Sequence, residues 1–272
     1  MKNCGLIMND DQINKLLNIM ALLRDPENGC DWDKKQTLDS IRQYTIEEAY
    51  EVADAIEQNN MDDLRDELGD LLLQVVFYSQ IAKEENIFNF SDVVNAIINK
   101  LITRHPHVFN KTNDSAEFSE VLWEKLKAKE RENKATTIGR KASVLDDIPK
   151  ALPALMRAVK IQKRTSNIGF DWNEIESVIN KVHEELDELK YEMKNGMQPD
   201  RLLDESGDLL FSCVNLLRHL KVDPESALRS TNIKFEKRFR ALENSLEEKN
   251  QVPSDLTLEE LELIWNNLKK SV

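Results

Sequence analysis

Glu184, Glu185 and Glu188 stand at i, i+1 and i+4, and Glu205 and Asp208 at i and i+3. At about 100° per residue, each set shares one face of an α-helix. Two neighbouring helices that turn these faces together would gather five carboxylates in one cleft. The carboxylates would repel unless a cation sat among them. Hard oxygen ligands with no imidazole nearby select Mg²⁺, with Mn²⁺ as a substitute. The same set recurs upstream as Glu47, Glu48, Glu51, Glu67 and Asp70. The bland alternative is an acidic helix face that only meets water. Two features weigh against it. The arrangement occurs twice, and each ExxD lies inside an otherwise apolar helix beside Gly69 or Gly207. A mid-helix Gly costs about 1 kcal/mol relative to Ala, which points to close approach of another backbone or a ligand.

A polyphosphate ligand would need cations beside the acids. Lys234 and Arg238 are i, i+4 on one helix face, as are Lys100 and Arg104. Each pair offers a phosphate clamp, with a solvated basic stripe as the alternative. Lys181 lies one turn before Glu184 and Glu185, and Arg201 one turn before Glu205. The matching places in the upstream set hold Tyr44 and Asp63, leaving Lys34, Lys35 or Arg42 to fold back and supply charge there. There is no GxxxxGK[ST]. His105, His107, His183 and His219 are read as forming no HExxH and no His–Asp dyad. His105 and His107 straddle Pro106 and read as a structural turn. Cys213 falls on an apolar face and reads as buried and inert. Trp265 either stacks on a base or anchors the last helix. Trp32 and Trp172 read more readily as wedges at bundle ends.

The elements that position these residues repeat. Gly29-Cys30-Asp31-Trp32 returns as Gly169-Phe170-Asp171-Trp172, each five residues after an Arg, Arg24 or Arg164. With the two acid sets and the two Lys–Arg pairs, four blocks recur in one order, at an offset drifting from 140 to 134 residues. This implies two copies of one domain, 1–109 and 148–272, joined by a charged linker, 110–147, holding one short helix. Within the copies the apolar period is helical. Asn9 or Asp10 caps a stripe of Ile13, Leu16, Leu17, Met20 and Leu23. Ser91 caps a stripe of Val94, Ile97, Ile98 and Leu101, and Asp223-Pro224 opens a helix in the second copy. No segment alternates with period two, so the fold class is all-α, with a four-helix bundle in each half.

Composition agrees. The 272 residues carry 50 acids against 37 Lys and Arg, a formal charge of −13. Such a chain is repelled by nucleic acid and anionic membranes unless it holds a strong basic patch. Seven Gly and seven Pro are few, which favours long helices. Cys4, Cys30 and Cys213 give no disulfide framework or zinc pair. With no signal-like or membrane-length apolar run, the expectation is a soluble cytoplasmic protein.

EExxE followed by ExxD resembles the MazG family of all-α nucleoside triphosphate pyrophosphohydrolases, in its two-domain bacterial form. More specific stretches carry the resemblance over nearly the whole chain. These are Arg24 to Asp33, Arg104-His105-Pro106-His107-Val108-Phe109, Asp146-Asp147-Ile148-Pro149 with Leu152-Pro153-Ala154-Leu155, and Lys160 to Arg164 leading to Trp172. The resemblance implies a homodimer that hydrolyses NTPs and dNTPs, over a broad range and with Mg²⁺, to the monophosphate and pyrophosphate. A metal-activated water would attack the α-phosphorus. It implies Glu185, Glu188, Glu205 and Asp208 as metal ligands, with Glu48, Glu51, Glu67 and Asp70 as a possible second site. Glu184 and Glu47 are implied either as supports behind the ligands or as base candidates. Lys181, Glu184, Arg201, Asp204, Lys234, Arg238 and Trp265 are implied as nucleotide-binding residues. The alternatives are a non-catalytic helical dimer that binds metal or a partner, and a narrower pyrophosphatase of the dUTPase or dCTPase type.

Overall fold

The computed structural model describes residues 10–109 and 120–269. Among these residues there are twelve α-helices and no strand. The chain divides into two compact units, Met1–Leu126 and Lys127–Val272.

The first unit contains α1 (Asp10–Leu23), α2 (Asp31–Lys35), α3 (Arg42–Glu57), α4 (Met61–Glu84), α5 (Phe90–Arg104) and α6 (Pro106–Phe109). α4 is its axis, with α1, α3 and α5 packed on it. The core is Met20, Ile41, Val76, Phe77 and Ile81, closed over by Leu16, Leu17, Tyr44 and Leu73. The apolar period of α1 and α4 puts these residues on facing sides. The cap of α5 differs from the sequence expectation. Asn89, two residues before Ser91, accepts from Ser91 and Asp92 backbone N–H groups, while the Asp92 carboxylate reaches back to the Asn89 N–H. This reciprocal box satisfies three backbone donors at once, which the Ser91 hydroxyl alone cannot do. Asn9, the other possible cap of α1, lies outside the described residues.

The unit boundary falls inside α7 (Glu120–Thr137), an 18-residue helix where one short helix was expected. Its stretch contains neither Gly nor Pro, so nothing breaks it early.

The second unit contains α8 (Ala154–Ser166), α9 (Ile175–Lys194), α10 (Pro199–His219), α11 (Pro224–Glu247) and α12 (Leu258–Leu268). α10 packs on α9, α8 and α11, and α12 lies on α11. Val178, Val214, Leu242 and Leu246 are buried. Asp223 caps α11 as its Asp-Pro sequence suggests, accepting from the Ser226 N–H at 2.8 Å.

The acid-bearing helices are α3 with α4 and α9 with α10, each pair a helical hairpin. The connection is 58–60 in the first and 195–198 in the second. That one-residue difference accounts for the different EExxE-to-ExxD spacing. Glu51 and Glu188 each lie six residues before their helix ends, and Glu67 and Glu205 each six after their helix starts. Gly196, at φ +107°, makes the longer turn. A Cβ added at Gly69 or Gly207 would meet nothing within 4 Å. Among the described residues nothing outside its own helix therefore approaches either glycine, contrary to the backbone-approach expectation.

Candidate active site

In the second unit, α9 and α10 bring Glu185, Glu205 and Asp208 together, one carboxylate oxygen of each lying within 4.8 Å of the others. Glu185 and Glu205 are buried at 5% and 6% exposure, and Asp208 is exposed. Two buried carboxylates this close carry a desolvation and repulsion cost that cations must offset. The structure supplies two. Lys181 Nζ lies 2.8 Å from both Glu184 Oε1 and Glu185 Oε1. Those two hydrogen bonds raise the Lys181 ammonium pKa. Arg201 Nη2 lies 2.5 Å from Glu205 Oε1, and its Nη1 3.2 Å from Asp204. Both cations project from one helical turn before their acids, as their i to i+4 spacing requires.

Glu188 is outside the trio but feels it. Its pKa is raised by desolvation first, then by the charges of Glu185 and Glu205. Glu184, its neighbour in sequence to Glu185, faces outward with its carboxylate half exposed. The shared-face expectation thus divides: Glu185 points in, while Glu184 and Glu188 stay at the rim.

The first unit forms the matching trio of Glu48, Glu67 and Asp70 from α3 and α4. Desolvation, followed by the charge of Asp70, raises the Glu48 pKa. Desolvation, followed by the charge of Glu51, raises that of Glu67. Among the described residues no Lys or Arg forms an ion pair with Glu47, Glu48, Glu51, Glu67 or Asp70. Tyr44, at the Lys181 position, packs against the Trp32 ring at 6.1 Å. Lys34 pairs with Asp31 at 3.1 Å, and Arg42 with Asp39 at 3.2 Å, so neither folds back onto the trio.

Both trios suit a hard divalent cation: oxygen donors only, convergent, and mutually repulsive without one. Among the described residues no other group of three or more His, Cys, Asp or Glu converges in this way.

Lys234 and Arg238 lie on α11 and Trp265 on α12. No hydrogen bond or ion pair among the described residues ties Lys234 or Arg238 to the carboxylates. Trp265 packs on Phe235, ring centroids 5.1 Å apart. In the first unit Arg104 lies over the Trp123 ring at 5.3 Å, and His105 packs on the same indole. His105 and His107 sit at the join of α5 and α6, the structural turn expected of them. Cys213 is half-buried, and desolvation pushes its thiol pKa up, away from reactivity.

A cleft of about 270 Å³ opens beside the second trio, lined by Lys181, Glu185, Asp208, Gln162, Trp172 and Phe211 among others. Trp172, expected as a wedge, also lines this cleft. Asp171 and Arg218 also line it, and they belong to a contact that overturns the expectation of no His–Asp dyad. His219 Nε2 lies 3.0 Å from Asp171 Oδ1, a His–Asp pair, and Arg218 Nη2 is 2.7 Å from both Asp171 oxygens. The partners are 47 and 48 residues apart in sequence, so no local spacing announces them. Gln162, Asn215 and Arg218 were likewise not singled out. Gln162 lies in a quoted stretch, but an amide carries no signal beside Lys and Arg.

A carboxylate trio on an α-helical hairpin, with basic side chains seated on it, is an all-α site suited to a divalent cation and an anionic ligand. The MazG nucleotide pyrophosphohydrolase domain matches residues 36–109. The nucleoside triphosphate pyrophosphohydrolase of Escherichia coli K12 is 52% identical over 264 residues, 96% of this chain and 98% of that protein. A nucleoside triphosphate pyrophosphohydrolase/pyrophosphatase MazG of Thermotoga maritima is 45% identical over 269 residues, 99% of this chain and 98% of the other. An uncharacterized Bacillus subtilis protein, YabN, is 41% identical over 93% of this chain but only 51% of its own length. The chain belongs to the MazG nucleotide pyrophosphohydrolase family, and is accordingly a hydrolase of phosphoric anhydrides.

Proposed function

We propose that the chain hydrolyses nucleoside triphosphates of broad base range, NTPs and dNTPs alike, to the monophosphate and pyrophosphate with Mg²⁺. The observation that carries this reading is the second trio with Lys181 and Arg201 seated on it. Glu185, Glu205 and Asp208, with Glu188 at the rim, would hold the cation. Bound there, Mg²⁺ supplies charge neutralisation and Lewis acidity toward the phosphates.

The chain's own residues do the rest. Lys181 and Arg201 hold the acids in place and stand ready to turn toward phosphate oxygens, as a ligand with about four negative charges beside five carboxylates requires. Glu184, exposed beside Glu185, accepts the proton of the attacking water. The water oxygen bonds to the α-phosphorus, the bond from that phosphorus to the α–β bridging oxygen breaks, and pyrophosphate leaves. Asp204 steadies Arg201. Lys234, Arg238 and Trp265 act as nucleotide contacts by family resemblance.

The domains assigned are 1–109 and 148–272, with 110–147 between them. The protein is read as a cytoplasmic homodimer without nucleic-acid or membrane partners. Exposed apolar side chains such as Leu68, Leu72, Val75, Ile97, Ile98 and Leu101 support burial of the first unit against a second copy. Among the described residues no helix is long and apolar enough to cross a membrane.

The test is product analysis on each NTP and dNTP, with and without Mg²⁺. Monophosphate and pyrophosphate in equal amounts, only with metal, are expected. Orthophosphate and nucleoside diphosphate as products, or no reaction, would overturn the reading. One dominant nucleotide would favour the narrower pyrophosphatase.

A further inference from the structure

Gln162 on α8 is 5% exposed and lines the cleft beside the second trio. Its Nε2 donates to the Phe211 carbonyl at 2.8 Å. That bond sets the amide's orientation, because the reverse flip would place two oxygens together. Its Oε1 is buried without a hydrogen-bond partner. A buried orphan acceptor is uncommon in folded proteins and calls for a donor. The rest of the cleft says what kind of donor. Glu185 and Asp208 line it together with the aromatic rings of Trp172 and Phe211. Arg218 also lines the cleft, with Asp171 and the Asn215 Oδ1 taking its Nε and Nη2 hydrogens at 2.7 to 3.0 Å. What Gln162 has left over is an acceptor, and phosphate offers no hydrogen to it. A flat, weakly polar group with an N–H on its edge fits both the aromatic walls and the orphan oxygen.

We propose that this cleft is the nucleobase subsite of the second unit, with Gln162 Oε1 accepting an N–H from the base edge and Trp172 covering the base face. The proposal rests on the reading of the trio as a nucleotide-hydrolysing site. Adenine, cytosine, guanine and uracil all carry an edge N–H, so one acceptor tolerates several bases, in keeping with a broad range. The repeat that matches Arg24 to Arg164 places Leu22 opposite Gln162; in the first unit the buried amide oxygen without a partner is Gln74 Oε1 on α4, lining a cleft with Glu48 and Trp32.

The test compares ATP with purine riboside 5′-triphosphate, which lacks the 6-amino group, on wild-type protein and Gln162→Met. Wild type should prefer ATP by about tenfold in kcat/KM, the size of one net hydrogen bond, and the variant should show no preference. A preference that Gln162→Met leaves intact overturns the proposal. So does a coupling seen instead with 2′- or 3′-deoxyATP, which would place a sugar hydroxyl on Gln162. Because Gln162→Met also removes the bond to Phe211, the half-exposed Trp172 gives a second variant. Trp172→Ala should raise KM for all four NTPs about tenfold and leave the inhibition constant of inorganic tripolyphosphate unchanged; an unchanged KM overturns the proposal. Wild-type protein inert toward every NTP would remove the functional reading and the subsite together. Active wild type with an uncoupled Gln162 and a silent Trp172 would remove the subsite alone.

Discussion

Asp208 completes its trio from an exposed position, whereas Glu185 and Glu205 are enclosed. Asp208→Asn keeps the shape and removes one negative charge. It should abolish metal-dependent pyrophosphate release while far-UV circular dichroism is unchanged, and metal-free thermal stability should hold or rise as repulsion is relieved. Retained turnover would remove Asp208 from the ligand set. Asp171 makes the opposite case. Burial pulls its carboxyl pKa up, but hydrogen bonds and charge from Arg218 and His219 outweigh burial and hold it below the ordinary 3.8. A folded value lower than the unfolded one gives stability that is complete above about 3.8 and is lost as the pH falls through the depressed value. Asp171→Asn should therefore cost about 1–3 kcal/mol at neutral pH, somewhat less than a fully buried pair. The gap from wild type in urea melts should narrow below about pH 4. A pH-independent gap would mean that packing, not charge, accounts for the loss.

At the scale of elements, α10 shows how a helix can carry a cost in one place. Gly207 sits in its interior, and a Cβ there would meet nothing within 4 Å. Gly207→Ala should stabilise the protein by roughly 0.5–1 kcal/mol, seen as a raised melting temperature. If kcat or dimer formation falls in the same variant, the space beside Gly207 belongs to a ligand or a second chain, and the glycine is explained. The α5 cap is an ordinary structural device by comparison. Asn89→Ala should cost about 1 kcal/mol of stability without a change in kinetics. The hairpins themselves were readable. The periodic apolar stripes implied helices, and the six-residue setback of each acid from its helix end places the trios at matching depth in both units. The Asn89 cap was misread because Asn89 and Ser91 are both good caps, and only the backbone dihedrals decide between them.

Across the whole molecule, the two units share an acid pattern and differ in cations. The second trio is neutralised by Lys181 and Arg201; the first has Tyr44 and Asp63 in those places. We expect the second unit to be the main catalyst. A variant with Glu67→Gln and Asp70→Asn should keep most NTP hydrolysis, and one with Glu205→Gln and Asp208→Asn should lose it. Initial rates with saturating Mg²⁺ decide. Equal losses would indicate two working or coupled sites, and the reverse order would refute the charge argument.

What the residues alone determined is whatever follows from local spacing. The all-α class, the acid faces, and Lys181 and Arg201 one turn from their acids rest on the 3.6-residue period, the repeat of sequence blocks rests on their recurring order, and each can be counted along the chain. Tertiary packing decided which members of each face turn inward. It made Glu185 buried and Glu184 exposed, although they are adjacent in sequence. It also closed the Asp171–Arg218–His219 contact across 47 and 48 residues and left Gln162 Oε1 without a partner inside a cleft. Desolvation and hydrogen-bond satisfaction are properties of what surrounds an atom, and for these atoms the surroundings come from helices far apart in the chain.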